Sequence, residues 1–338
     1  MAIGYQQENR IFTLDTAHTS YQMKVDDFGF LLHLYYGGRV YGNMDYLLTC
    51  YDRGFSGNPS DVGNDRTYSM DVLPQEYPVM GIGDFRNSAL IIRNSDGSDC
   101  CDLRYVGHET KKEKYRLPGL PAVYADSGEA ETLEIYLEDK VNGVRVTLLY
   151  GVLAEADIIT RSAVIENRGE SGVTVGKAAS ACLDFLTGSY DMLSFYGRQK
   201  MERNLQREEI RHGTYAIGSR RGASSHQYNP AVILAERNTT EDAGSCYGLV
   251  FVYSGNFLCE AERDQYDQTR ILMGLQSDLF HYPLKKGEKL VVPETILSYS
   301  DQGLGALSAR FHHCIGEHLC RGKYRNAPRP ILLNSWEM

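Results

Sequence analysis

At 338 residues the chain has room for one large domain or two ordinary ones, and it can bury enough surface to fold without staples. Its formal charge of −9 and lack of a basic patch exclude the electrostatic footprint of a nucleic-acid binder, and no stretch is long and apolar enough to span a membrane. Eight scattered cysteines include no C-x-x-C pair, so no zinc site is indicated.

From the amino terminus, Met1 to Arg10 is polar and lacks the apolar core of a signal peptide, which predicts reduced thiols and a cytoplasmic location. The sequon Asn238-Thr239-Thr240 carries no meaning without secretion. Apolar–polar alternation first predicts a strand over 28–36. An irregular stretch rich in Gly, Pro, Asn and Asp then runs from Asp52 to Arg86. Its length predicts function or disorder, and Phe55, Tyr68, Tyr77 and Phe85 argue against disorder. A strand over 90–93 ends in the turn 94–98, and the run Lys111-Lys112-Glu113-Lys114 reads as a solvated loop. Over 132–150, Leu133, Ile135 and Leu137 alternate with polar residues, Asn142-Gly143 signals a hairpin, and Val144, Val146 and Leu148 resume the alternation. Further strands are predicted over 158–166, 173–182, 231–236, 247–253, 268–273 and 289–299. The 24 tyrosines, against one tryptophan, suit half-buried sheets and polar ligand surfaces. Many strands joined by short turns imply two packed antiparallel sheets, a β-sandwich larger than an immunoglobulin domain.

From Leu304 the spacing turns helical through Leu307, Phe311, Cys314, Ile315 and Leu319, with Ser300 or Asp301 as expected cap and Gly322 just past the end. Residues 325–330 read as a linker, and Ile331-Leu332-Leu333-Asn334 as the start of a buried-type strand. Such a strand with nothing after it to pair with reads as the first strand of a missing domain.

Several segments resemble bacterial α-galactosidases of glycoside hydrolase family 36. They are 65–78 (Asp-Arg-Thr-Tyr-Ser-Met-Asp-Val-Leu-Pro-Gln-Glu-Tyr-Pro), Gly83-Asp84-Phe85-Arg86, 219–230 (opening Ser219-Arg220-Arg221-Gly222), Tyr253-Ser254-Gly255-Asn256-Phe257, Tyr299-Ser300-Asp301-Gln302-Gly303, and 329–337 through Trp336. They fall in the family's order along nearly the whole chain. The resemblance implies a β-supersandwich over 1–300, a connector helix and linker over 301–328, and the start of a (β/α)₈ barrel over 329–338. A small β-domain would follow the barrel.

Retaining glycosidases use two carboxyl groups about 5 Å apart. In this family both are aspartates at the ends of later barrel strands, so the resemblance implies that no catalytic residue lies within this chain. The carboxylates of Asp26-Asp27, Glu129/Glu131/Glu134 and Glu208-Glu209 read as solvated charge. Three residues are candidates for substrate binding. Trp336 would lie at the carboxyl end of the first barrel strand, where its indole offers a flat face to a pyranose; packing in a core is the alternative. Asp52 and Arg66 lie in the long loop, which in tetrameric members reaches into a neighbour's pocket; an ion pair within the loop is the alternative. The arginines of 219–230 suit either a link to the barrel or a plain structural turn. His226 has no second ligand at metal spacing, and His313 and His318 are five residues apart, a poor match to one helical face. No metal or organic cofactor is implied. The expected function is hydrolysis of terminal α-1,6-galactosides, of the melibiose and raffinose type, by the full-length homotetramer, with this segment alone inactive. A free-standing carbohydrate-binding or oligomerisation module stays open, as do galactosyl transfer and action on α-N-acetylgalactosamine.

Overall fold

The computed structural model describes residues 2–48, 57–186, 188–224 and 226–337. Strands come first as a meander: β1 (Ile3–Gln6), β2 (Ile11–Asp15), β3 (Thr19–Val25) and β4 (Leu31–Gly38). After the long loop follow β5 (Leu90–Arg93), β6 (Arg104–Lys111), β7 (Glu131–Asp139), β8 (Val144–Leu153), β9 (Ile158–Asn167) and β10 (Val173–Phe185). Then come β11 (Tyr190–Arg198), β12 (Met201–Glu209), β13 (Gly213–Gly218), β14 (Tyr228–Glu236) and β15 (Cys246–Phe251). The strand series ends with β16 (Phe257–Arg263), β17 (Thr269–Leu275), β18 (Tyr282–Leu284), β19 (Lys289–Val291) and β20 (Thr295–Ser300), before helix α1 (Gly303–Cys314).

The ladders assemble three antiparallel sheets. One is the β1–β4 meander. One runs β13-β16-β17-β10-β18 with β5 also on β10. The largest has ten strands in the order β12-β11-β14-β15-β20-β9-β8-β7-β6, with β19 also on β9. A single buried cluster takes Phe12 and Met23 from the first sheet, Ala181 and Leu183 from the second, and Ile135 and Leu148 from the third. This is the large antiparallel sandwich expected, with three sheets among the described residues where two were expected. Among the described residues no helix is long and apolar enough to cross a membrane.

The alternation of 132–150 does what its period requires. Ile135 pairs with Leu148 and Leu137 with Val146, all facing the core. The hairpin turn differs in detail. Only Gly143 takes a left-handed backbone, φ 71°, and its N–H donates to the Asp139 carbonyl at 2.8 Å. The Asp139 carboxylate meanwhile accepts the Val141 and Asn142 N–H groups, so a four-residue turn replaces the two-residue one.

Three expectations are corrected. Lys114 is not solvated: it is buried and its Nζ donates to Glu294 Oε1 at 2.6 Å, because the chain after β6 folds back over the large sheet. The strand expected over 289–299 divides into β19 and β20, since Pro293 has no N–H for the ladder and Glu294 turns inward to meet Lys114 and the Val123 N–H. The strand expected over 331–334 does not form. Ile331, Leu332 and Leu333 are exposed and join none of the described sheets.

Helix α1 packs on the outer face of the large sheet, where Leu307, Phe311 and Cys314 join Cys246, Ile158 and Ile296. Its cap is not the side chain of Ser300 or Asp301. Instead, carbonyls of the 240–244 turn accept its first free N–H groups: Thr240 from Leu304 at 3.0 Å, Glu241 from Gly305 at 2.9 Å and Gly244 from Gly303 at 3.0 Å. Beyond Cys314 the last turn, Ile315–Leu319, widens to a π-helix. A five-residue period brings His313 and His318 face to edge, ring centroids 6.1 Å apart, where an α-helix would have separated them.

Candidate functional site

The loop between β4 and β5 is exposed at its tip and rooted in the core. Met70, Gln75, Glu76, Tyr77, Asp84 and Arg86 are all buried. Such a long irregular segment needs partners for its backbone groups, and two buried charge clusters supply them.

The first centres on Arg270 from β17. Its Nε and Nη2 grip both oxygens of Asp184 from β10 at 2.7 Å, and Nη2 also reaches Asp84 Oδ2 at 2.8 Å. Arg86 sits beside it, with Nε 2.9 Å from Asp84 Oδ1. From this cluster hydrogen bonds run to the loop backbone. Arg86 Nη2 donates to the carbonyls of Leu73 (2.8 Å) and Met70 (3.1 Å). Gln268 Nε2 donates to that of Val72 (3.0 Å), and Asp184 Oδ2 accepts the Gln75 N–H (2.8 Å). Burial alone would raise the Asp184 carboxyl, but the Arg270 charge and its hydrogen bonds hold it below the usual carboxylate range.

The second cluster surrounds Glu76, which is fully buried. Its Oε1 accepts from Tyr21 (2.6 Å) and Tyr150 (2.8 Å) and lies 2.8 Å from Arg161 Nη1, while Oε2 meets His33 Nδ1 at 3.1 Å. Burial again pushes this carboxyl up, and Arg161 with His33 outweighs it and leaves it low.

These shifts set a pH dependence. A carboxyl whose folded pKa is depressed contributes stability present above its unfolded value, near 4, and lost as pH falls toward the folded value. Glu262 and Asp264, at the rim of the first cluster, are raised by burial and act with the opposite sign. The melting temperature is therefore expected to pass a shallow maximum at weakly acid pH and fall below about pH 4. Thermal circular dichroism from pH 7 to 3 checks this, and a midpoint still rising at pH 3 would contradict it.

Of the three residues singled out for sugar binding, Asp52 lies outside the described residues. Arg66 is exposed on a tight turn in which Asp65 Oδ1 accepts from the Thr67 N–H and hydroxyl at 2.8 and 2.7 Å. Two residues on, the Tyr68 hydroxyl donates to Asp26 Oδ2 at 2.6 Å. Asp26, read from sequence as solvated charge, is thus a half-buried anchor that also accepts the Phe28 and Phe30 N–H groups. Glu131 likewise accepts the Ala2 and Ile3 N–H groups. Trp336 stands on a short 3₁₀ turn, 92% exposed, so it packs against neither the core nor the Arg66 loop.

The segment 219–230 docks on 253–257. Ser219 N–H donates to the Phe257 carbonyl, Ser224 N–H to that of Ser254, and Gly222 N–H to Asn256 Oδ1 at 2.7 Å. Arg220 pairs with Asp278 at the surface beside a cavity of about 460 Å³, and His226 is exposed. A further cleft, of about 850 Å³, lies between 111–127 and Arg321, and neither Arg66 nor Trp336 lines it.

Sequence reasoning missed Arg161, Asp184, Arg270 and Glu294. A signal exists for some of them: Asp184 is a lone charge after the apolar run Ala181-Cys182-Leu183, and Arg270 opens the apolar run Ile271-Leu272-Met273. A solvated sheet face would carry several polar residues in alternation, not one.

Residues 29–285 match the model of the glycosyl hydrolase family 36 N-terminal domain, and 290–338 match that of melibiase. Over its whole length the chain is 61% identical to the bifunctional alpha-galactosidase/sucrose kinase AgaSK of Mediterraneibacter gnavus, covering 36% of that protein. It is 42% identical to alpha-galactosidase AgaA of Geobacillus stearothermophilus, again over its whole length and covering 46% of that protein. The chain thus spans less than half the length of these curated relatives. Among solved structures, the galactosidase domain of AgaSK superposes with a TM-score of 0.97 at 61% identity, over 99% of this chain and 47% of that one. A variant of AgaA in complex with raffinose superposes with a TM-score of 0.93 at 42% identity, over 97% of this chain and 46% of that one.

Proposed function

Because this chain belongs to glycoside hydrolase family 36, we propose that it is the amino-terminal part of a retaining α-galactosidase acting on terminal α-1,6-galactosides of the melibiose and raffinose type. The observation that carries the reading is 61% identity, without a break in coverage, to a protein named for that activity, joined by the raffinose complex of a second relative. On this reading residues 1–300 are the supersandwich, 301–328 the connector, and 329–338 the entry to the barrel. The nucleophile and acid/base carboxyl groups belong to the part of the relatives' length that this chain does not cover. They would act in two displacements that return the original anomeric configuration.

The sandwich then supports the barrel and supplies sugar contacts. Trp336 offers an apolar ring face and an N–H donor to galactose. Arg66, with Asp52, reaches a neighbouring subunit's pocket in a homotetramer, and the free thiols of the described cysteines suit a cytoplasmic location. The test uses an aryl α-galactoside and raffinose with two proteins. A polypeptide of the relatives' length that carries this chain turns both over, and the 338-residue chain alone does not. Turnover by the short chain would overturn the placement of the carboxyl groups, and inactivity of the long one would overturn the activity. In the long protein Trp336→Ala is expected to raise KM about tenfold, on the order of 1 kcal/mol for loss of a stacking face.

A further inference from the structure

The exposed turn bearing Arg66 is steered from the interior. Between residues 70 and 87 the loop backbone is held at Met70, Val72, Leu73, Gln75 and Asn87, in every case by a buried side chain of the first charge cluster. The remaining partner of Arg270, Nη1, donates to the Asn87 carbonyl at 3.0 Å. Arg270 and Gln268 come from β17 and its approach, Asp184 from β10, and Asp84 and Arg86 from the loop itself. The cluster therefore joins two core strands to the loop's root. The two arms that flank the Arg66 turn are also pressed together: Gly83 has φ +90°, and a Cβ there would stand 2.2 Å from the Gly57 carbonyl oxygen.

From this geometry we infer that Gln268, Arg270 and Asp184 are positioning residues for sugar recognition. They fix the loop root so that the Arg66 turn is presented in one place, although none of them is at the surface. The inference rests on the proposed role of Arg66. Planar, doubly hydrogen-bonded guanidinium–carboxylate pairs suit such a task, because they fix direction as well as distance. A compact ammonium at position 270 keeps the charge and cannot hold Asp184, Asp84 and Asn87 together.

The test compares Arg66→Ala, Gln268→Leu and Arg270→Lys in the long, assembled enzyme, reading kcat and KM for raffinose, subunit assembly and melting temperature. Gln268→Leu removes the tie to Val72 and the acceptor of Arg86 Nη1 (3.2 Å) but leaves every charge in place, so it remains informative if Arg270→Lys fails to fold. The expected result is a KM about fivefold higher for Gln268→Leu, at least as large a rise for Arg66→Ala, and kcat within about twofold of the parent. Loss of fold alone would lower the melting temperature and the active fraction without moving KM. If Arg66→Ala raises KM and the folded core variants do not, the positioning role is overturned while the loop's role stands. If Arg66→Ala leaves KM unchanged, the loop reading falls and the positioning role falls with it.

Discussion

Arg161→Met is expected to destabilise the chain by about 3–5 kcal/mol, because it strips the cation from a carboxylate that has no access to water. Arg161 is 1% exposed, and its Nη1 donates to the Cys182 carbonyl at 2.5 Å and the Tyr21 hydroxyl at 3.0 Å besides facing Glu76. Without it, Glu76 keeps two tyrosine hydroxyls and His33 but loses the charge that offsets burial. Its carboxyl should then rise above the usual range, and the variant should be less impaired at pH 4.5, where that group takes up a proton, than at pH 7. The double variant Arg161→Met/Glu76→Leu should recover part of the loss, since apolar groups of similar size can replace a buried pair. Urea midpoints of the chain and these variants decide the matter. A midpoint unchanged by Arg161→Met would mean that water reaches the pair.

The second large effect is expected at the joint between helix and sheet. Gly248 in β15 is the floor on which α1 rests: a Cβ there would come 2.2 Å from Phe311 Cε2, 2.6 Å from Cζ and 3.2 Å from Leu307 Cδ2. Gly248→Val must lift the helix or push Phe311 out of its rotamer, for a penalty of about 1–3 kcal/mol or more. Combining it with Phe311→Leu should restore part of the loss, because the clash is between those two side chains. A cycle of four melting curves would show coupling on the order of 1 kcal/mol. Strict additivity would mean that α1 adjusts without resistance.

Much of the scaffold was legible because its physics is periodic. The β7–β8 hairpin, β10 and the spacing of α1 follow from where apolar residues recur. Phe55 lies outside the described residues; over 57–86 the aromatic residues did signal order, and Tyr68 and Tyr77 are among those that root the loop. What escaped was set by contacts distant in sequence. β12 (Met-Glu-Arg-Asn-Leu-Gln-Arg-Glu-Glu) is polar on both faces, and its pairing with β11 holds it as a strand. The meander β1–β4 was read only in its last strand, because Arg10 and its neighbours look like a polar lead-in. The buried charges stayed hidden because Asp84, Asp184 and Arg270 are far apart in the chain and neutralise one another only once folded. For the candidate site, Trp336 and Arg66 stand exposed as a sugar contact requires, and exposure alone assigns neither a ligand.

Because peptide carbonyls of the 240–244 turn receive the N–H groups of Gly303, Leu304 and Gly305, the aim of α1 is set by the path of that turn, which Gly244 takes at φ +100° with Thr239 Cα 2.7 Å from where a Cβ would stand. Adding or deleting one residue there would shift all three acceptors at once and swing the helix to a new direction.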